Sequence, residues 1–162
     1  MRAYAARFGE DPDLWGITGL VHDFDYEQNP DVTVEGHPIV GSRILRERGY
    51  PEDVIRAILS HASEITGVQP ETLMEKTLVA VDEMTGFLVA VALVRPSKSI
   101  LDVEVKSVRK KWKSKEFAAA VNREEIEHAA AAIGMSLDDH IQVVLDAMKE
   151  IAPALGLDHQ AA

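Results

Sequence analysis

The sequence contains no cysteine. This absence excludes disulfide bonds, thiolate zinc sites, cysteine-ligated iron–sulfur clusters and cysteine nucleophiles, so any transition metal must be held by nitrogen and oxygen. Long hydrophobic runs are also missing, because the longest covers only residues 87–94 and about 20 residues are needed to cross a bilayer. The amino terminus turns acidic where a signal peptide would be apolar. We therefore expect a soluble cytoplasmic protein that engages no membrane.

The sequence also lacks a surplus of basic residues. Lysine and arginine number 17 against 27 acidic residues, for a formal net charge of −10, so we expect no nucleic-acid partner. The exception is the segment 98–115, which carries seven basic and two acidic residues. Its basic run at 106–115 could attract a phosphorylated ligand, or it could be an ordinary solvated helix face. Trp112 within it could cover a base or only pack.

What the sequence does contain is apolar residues at three- and four-residue spacing, with almost no alternation of period two. This pattern predicts an all-α protein, a single compact domain of about six to seven helices. Glycine and proline separate the predicted segments. Residues 1–8 form the end of a helix, full helices span about 12–22, 37–48, 51–65 and 70–94, a short helix lies within 98–115, and two last helices begin after Asn122 and Ser136. We place the domain at residues 1–155 and a loose tail at 156–162.

Five polar residues stand where the chain otherwise builds a core. His61 lies on the apolar face of its predicted helix and needs a partner inside the protein. His22 and Asp23 end one apolar helix, and His37 begins the next. Asp82 interrupts an apolar helix, where an unpaired carboxylate would lose much of its hydration free energy. Together these residues place nitrogen and oxygen donors on four successive helices, which predicts a metal site.

Each of these residues alone has a plainer interpretation. A core histidine usually bonds a backbone carbonyl, and Asp82 could pair with a basic residue or lie on a wet face. Periodicity does not distinguish Asp82 from Glu83 as the functional acid. The remaining histidines, His128, His140 and His159, have polar and acidic neighbours, and we expect them to be solvated.

The ordered segments resemble a known family. GLVHDFDYE at 19–27, HP at 37, ILSHA at 58–62 and AVDEMTG at 80–86 are similar to the HD-domain metal-dependent phosphohydrolases, in particular the small bacterial HD hydrolases. Residues 117–123 are similar as well. The resemblance implies an all-helical fold in which His22 and Asp23 are metal ligands and Asp82 is the closing carboxylate. In two-metal members of the family, residues at the positions of His37 and His61 hold a second ion, bridged by Asp23.

The resemblance also implies an activity. We expect a metal-dependent phosphohydrolase that acts on a small phosphoester or nucleotide through a metal-activated water, with one or two divalent ions of Fe, Mn, Zn or Ni. The catalytic candidates are Asp23, Asp25 and Glu27. The latter two could orient the water or make an outer hydrogen bond, and they could equally be ordinary loop acids.

One feature departs from the family pattern. The family has a further histidine on a helix before the HD dipeptide, and this chain has none before His22. We expect that the start of the first helix is truncated or misassigned. If a ligand is truly lost, the alternative function is a catalytically weak metal-binding sensor or scaffold. A di-iron oxygenase is a third hypothesis.

Overall fold

The computed structural model describes residues 1–31 and 35–159, and within these ranges the chain forms helices, turns and loops without a β-strand. The prediction of an all-α fold is confirmed. The described residues form nine helices: α1 (Arg2–Phe8), α2 (Pro12–Val21), α3 (Ile39–Glu47), α4 (Glu52–Ser60), α5 (Ser63–Thr66), α6 (Leu73–Leu93), α7 (Val105–Trp112), α8 (Arg123–Ala132) and α9 (Leu137–Glu150). None of these helices combines the length and the apolar character needed to span a lipid bilayer.

The helix predicted over 51–65 is broken, which is one reason why the helices outnumber the expected six to seven. α4 ends at Ser60, and α5 is a separate single turn. At the break, the carbonyl of Ile58 accepts a hydrogen bond from the His61 ring, and the carbonyl of Leu59 accepts one from the Thr66 hydroxyl at 2.7 Å. Side chains thus replace the backbone donors of a continuing helix. His61 therefore lies at the carboxyl end of α4 instead of inside a helix.

The described chain divides into two compact units, Met1–Val79 and Ala80–Ala162. In the first unit, α3 and α4 share a core of four buried aliphatic residues: Leu45, Val54, Ile55 and Ile58. Leu14, Ile17 and Val21 of α2 pack against this core. These three residues are three and four positions apart, so they lie on one side of α2. The packing brings the carboxyl ends of α2 and α4 to the amino end of α3.

The second unit is organised around aromatic rings and one arginine. Phe87 of α6 lies between Trp112 and Phe117, with ring centroids 4.9 and 5.5 Å away. The Arg123 guanidinium lies over the Phe87 ring and donates to the carbonyls of Trp112 and Ser114, both at 3.0 Å, and to that of Phe117. Trp112 is buried and donates to Glu127 at 2.8 Å. Trp112 therefore packs inside the second unit, which is one of the two roles expected for it.

Local signals at the helix ends of the second unit agree with the sequence. The Asn122 side chain accepts a hydrogen bond from the Glu125 N–H at 3.2 Å, and the Ser136 hydroxyl accepts one from the Asp139 N–H at 3.1 Å. These bonds satisfy amide groups that the first turn of a helix leaves without a partner. Within the basic run, Lys106 is exposed and pairs with Glu104 at 2.7 Å, as on a solvated helix face.

Two positions in the second unit differ from expectation. His140 is fully buried, and its Nε2 lies 2.8 Å from the carbonyl oxygen of Ala80. The prediction that His140 is solvated was wrong, because residue 140 belongs to the buried face of α9 that also carries Ile141 and Val144. Leu157 is buried as well, and its carbonyl accepts the N–H of Ile100 at 2.8 Å. The chain is thus held in place at Leu157, within the segment 156–162 that the sequence predicts to be a loose tail. Residues 160–162 lie outside the described part.

Candidate metal centre

Three helix ends in the first unit carry the predicted histidines. His22 directly follows α2, His61 directly follows α4, and His37 lies two residues before α3. The packing of these helices brings the three side chains together, with the His61 ring 5.5 Å from the His22 ring and 5.2 Å from the His37 ring. Two of the ends are carboxyl ends, where the helix dipole is negative and favours a cation.

Asp23 lies at the centre of this group. Its Oδ1 is 3.2 Å from His37 Nε2 and 3.6 Å from His61 Nε2, and the two Nε2 atoms are 3.2 Å apart. Two nitrogen or oxygen ligands that share one ion at about 2.1 Å lie about 3.0–3.4 Å from each other. The three side chains therefore have the mutual spacing of a metal ligand set, with ligand atoms all within 4.8 Å of one another.

His22 faces the other oxygen of the same carboxylate. Its Nε2 is 3.3 Å from Asp23 Oδ2. Oδ1 of Asp23 thus faces His37 and His61, whereas Oδ2 faces His22. A carboxylate in this position can bind two cations, one through each oxygen.

The hydrogen bonds on the far side of the rings define which nitrogen carries the proton. Each Nδ1 points at an oxygen that can only accept: the carbonyl of Gly19 for His22 at 2.8 Å, the carbonyl of Ile58 for His61, and the carboxylate of Asp25 for His37 at 2.8 Å. We therefore assign the proton of each neutral ring to Nδ1, which leaves the lone pair on Nε2. The lone pairs of His37 and His61 then face each other, an arrangement that a bound cation stabilises.

Asp25 is held behind His37 by α3. It is 2% exposed, and its Oδ2 accepts the N–H of Gly41 at 2.7 Å. Gly41 belongs to the first turn of α3, where the helix dipole favours an anion, and a Cβ at this position would overlap the Asp25 carboxylate. Because both oxygens are engaged, the geometry favours an outer hydrogen bond over direct orientation of water for Asp25.

Electrostatics favour an ionised Asp23. Burial alone would raise the pKa of the Asp23 carboxyl, but when no metal is bound and the rings are protonated, hydrogen bonds and positive charge from His22 and His61 outweigh burial and lower the pKa well below its ordinary value. The carboxylate is accordingly available as an anionic ligand at neutral pH.

Two further candidate acids are carried by other elements than these helix ends. Glu27 is exposed on the loop after Asp23, and Asp82 is half-buried on α6 in the second unit. Their catalytic and ligand roles stay predictions. Glu83, the alternative to Asp82, accepts the N–H of Asn122 at 2.6 Å, so it has a partner at the start of α8.

Sequence reasoning did not identify two contributors. Gly41 is required by the close approach of Asp25, and its only sequence signal is a glycine four residues after His37. The Tyr26 ring lies edge-on to His37 with centroids 5.4 Å apart. Tyr26 lies within the segment 19–27 that resembles the family, but the sequence alone assigns it no role in the site.

Comparison with known proteins assigns the chain to a family. A family model described as HD domain matches residues 1–85, slightly more than half of the chain. None of the curated proteins and none of the solved structures that were compared matches it. The chain belongs to the HD domain family, a superfamily of metal-dependent phosphohydrolases whose domains bind divalent ions. The cluster of Asp23, His37 and His61 offers a place for such an ion.

Proposed function

We propose that this HD-domain protein is a metal-dependent phosphohydrolase that acts on a small phosphoester or a nucleotide. The observation that carries the proposal is the convergence of three histidine Nε2 atoms on the ionised carboxylate of Asp23. Structural histidines bond a carbonyl or a carboxylate and need no such convergence. Family membership supports the same chemistry.

The donor set suits one or two divalent ions. His37, His61 and Asp23 would hold one ion, and His22 with the other oxygen of Asp23 would hold a second. Asp82 is the proposed closing ligand of the second ion. Mixed imidazole and carboxylate donors fit Fe, Mn, Zn or Ni.

When bound, a divalent ion lowers the pKa of a water ligand and offsets negative charge on a phosphoryl group. In the overall reaction, a water oxygen bonds to phosphorus, the ester P–O bond breaks, and the leaving oxygen takes a proton. Asp25 keeps the proton of His37 on Nδ1, and the carbonyls of Gly19 and Ile58 do the same for His22 and His61. Glu27, exposed on the loop after Asp23, is the proposed residue that orients the water or makes an outer hydrogen bond.

The test combines metal content with turnover. Purified protein is loaded with each candidate metal, and hydrolysis is measured on a panel of phosphomonoesters, phosphodiesters and nucleotides. We expect metal-dependent turnover that falls at least about 100-fold in His61→Ala and Asp23→Ala, together with a lower bound-metal content. His128→Ala is the matched control, because His128 is an exposed histidine of α8 and should change neither quantity.

Two outcomes would contradict the proposal. Wild-type turnover in His61→Ala and Asp23→Ala would show that the cluster does not carry the reaction. Stoichiometric metal without turnover on the whole panel would favour the metal-binding sensor or scaffold instead.

A further inference from the structure

The exposed aromatic side chains of this protein are concentrated beside the metal centre. The sequence has nine aromatic residues, all within the described ranges, and only Phe24 and Tyr26 are exposed, at 42% and 48%. Both lie within three residues of Asp23. Large apolar side chains are normally buried because exposure forfeits the free energy gained by removing them from water. Two exposed rings at the same loop therefore indicate a binding role.

The local backbone places both rings on the outside of the loop. The N–H of Tyr26 donates to the carbonyl of Asp23 at 3.0 Å, which closes a turn over residues 23–26. Asp25, between the two aromatic residues, points into the interior and is held by His37 and Gly41. Phe24 and Tyr26 consequently flank a buried residue that is itself anchored.

Tyr26 borders the metal centre directly. Its ring is nearly perpendicular to that of His37, with an angle of 89° and 5.4 Å between centroids. About half of the side chain stays accessible. A substrate whose phosphoryl group reaches Asp23 and His37 would thus have its remaining part next to Tyr26.

We propose that Phe24 and Tyr26 form an aromatic rim that binds a planar aromatic group of the substrate and makes the site selective for aryl or nucleoside phosphoesters over alkyl ones. The proposal rests on the proposed function, because it assumes that the phosphoryl group binds at Asp23 and His37. Aromatic side chains bind planar rings by offset stacking or edge contacts. An alkyl phosphoester offers no such partner.

The experiment measures binding of two inert probes to the metal-loaded protein. Phenylphosphonate and methylphosphonate share the anionic group but differ in the ring, and their P–C bonds resist hydrolysis. By calorimetry, we expect phenylphosphonate to bind about five- to tenfold more tightly. Tyr26→Ala and Phe24→Ala should each reduce this ratio by raising the Kd of phenylphosphonate more than that of methylphosphonate. A general distortion of the site would weaken both probes.

Two further variants sharpen the result. Tyr26→Phe keeps the ring and should keep the ratio. Leu101→Ala removes a side chain of the second unit with the same exposure as Tyr26, 48%, and should change neither Kd.

The outcomes separate this proposal from the proposed function. Equal affinity of both phosphonates for the wild type, or an unchanged ratio in Tyr26→Ala and Phe24→Ala, overturns the aromatic rim while metal-dependent turnover still supports the hydrolase. If neither phosphonate binds and no phosphoester is turned over, the proposed function fails and the rim fails with it.

Discussion

Each of the two units contains a buried histidine, and the two are used differently. His140 in the second unit is fully buried, and its Nε2 meets the carbonyl oxygen of Ala80 at 2.8 Å. His37 in the first unit is 4% exposed, but only its Nδ1 faces a simple acceptor, the carboxylate of Asp25. Its Nε2 faces Asp23 and the Nε2 of His61. Burial therefore does not distinguish the two histidines, whereas the partners of Nε2 do: a backbone carbonyl for His140, and a carboxylate and a second imidazole for His37.

The charged groups of the two units differ in the same sense. In the second unit, the Arg123 guanidinium donates to backbone carbonyls and lies against aromatic rings, so its charge is satisfied locally. In the first unit, Asp23 is half-exposed, with 49% of its side chain accessible. The charge of Arg123 is satisfied by groups of its own unit, whereas part of the Asp23 carboxylate is accessible to a ligand.

The strongest test of this comparison makes the same substitution at both histidines. His37→Gln keeps a polar side chain of similar length, but it replaces the Nε2 lone pair with an amide, which is a much weaker ligand of transition metals. We expect its metal content and turnover to fall at least about 100-fold. His140→Gln retains a donor for the Ala80 carbonyl and should keep both properties.

The measurement is elemental analysis of the dialysed proteins together with the phosphoester assay, after circular dichroism has shown that both variants are folded. Equal metal content in the two variants would show that the open nitrogen of His37 has no special role.

A second, smaller effect is expected from Gly41, which does not touch the proposed ion. In Gly41→Ala the new methyl group would overlap the carboxylate of Asp25, so that Asp25 shifts away from His37. Loss of such an outer hydrogen bond weakens metal binding about 10- to 100-fold. Competition with a chelator measures the metal Kd.

Gly86→Ala is the matched control for Gly41→Ala. Gly86 also lies in a helix, α6, but an added Cβ there meets no atom within 4 Å. An unchanged metal Kd in Gly41→Ala would show that Asp25 does not orient His37.

The features that sequence predicts well are those encoded by neighbouring residues. Period 3.6 and the glycine and proline positions located the helices, and the Asn122 and Ser136 caps form as expected. The order of His22, Asp23, His37 and His61 also predicted a cluster, because helix ends that pack together bring their terminal residues together.

The features that sequence missed depend on contacts between distant residues. The end of α4 at Ser60 depends on side chains that bond the Ile58 and Leu59 carbonyls, which periodicity does not encode. His140 follows two acidic residues and was expected to be solvated, yet helical spacing places it on the buried face of α9. The need for glycine at 41 appears only once Asp25 has been placed beside it.

The smallest predicted effect concerns pH and His140. Burial lowers the pKa of His140 below its ordinary value, and the hydrogen bond to Ala80 opposes burial only in part. The unfolded chain binds a proton at this residue near pH 6.5, whereas the folded protein does so only at lower pH. The unfolded state thus binds more protons as pH falls below about 6.5, and the free energy of unfolding decreases, by at most about 1.4 kcal/mol per pH unit for one group.

Urea unfolding at pH 7.5 and 5.5, with chelator present to remove metal effects, measures this contribution. His140→Gln should be less stable than the wild type at pH 7.5, because its amide replaces a well-packed ring, but it should lose less stability between the two pH values. The acidic groups and the other histidines titrate in both proteins, so the difference between the two losses isolates His140. If wild type and His140→Gln lose equal stability, His140 is not kept neutral by burial, and the contrast with His37 would have to rest on hydrogen bonding alone.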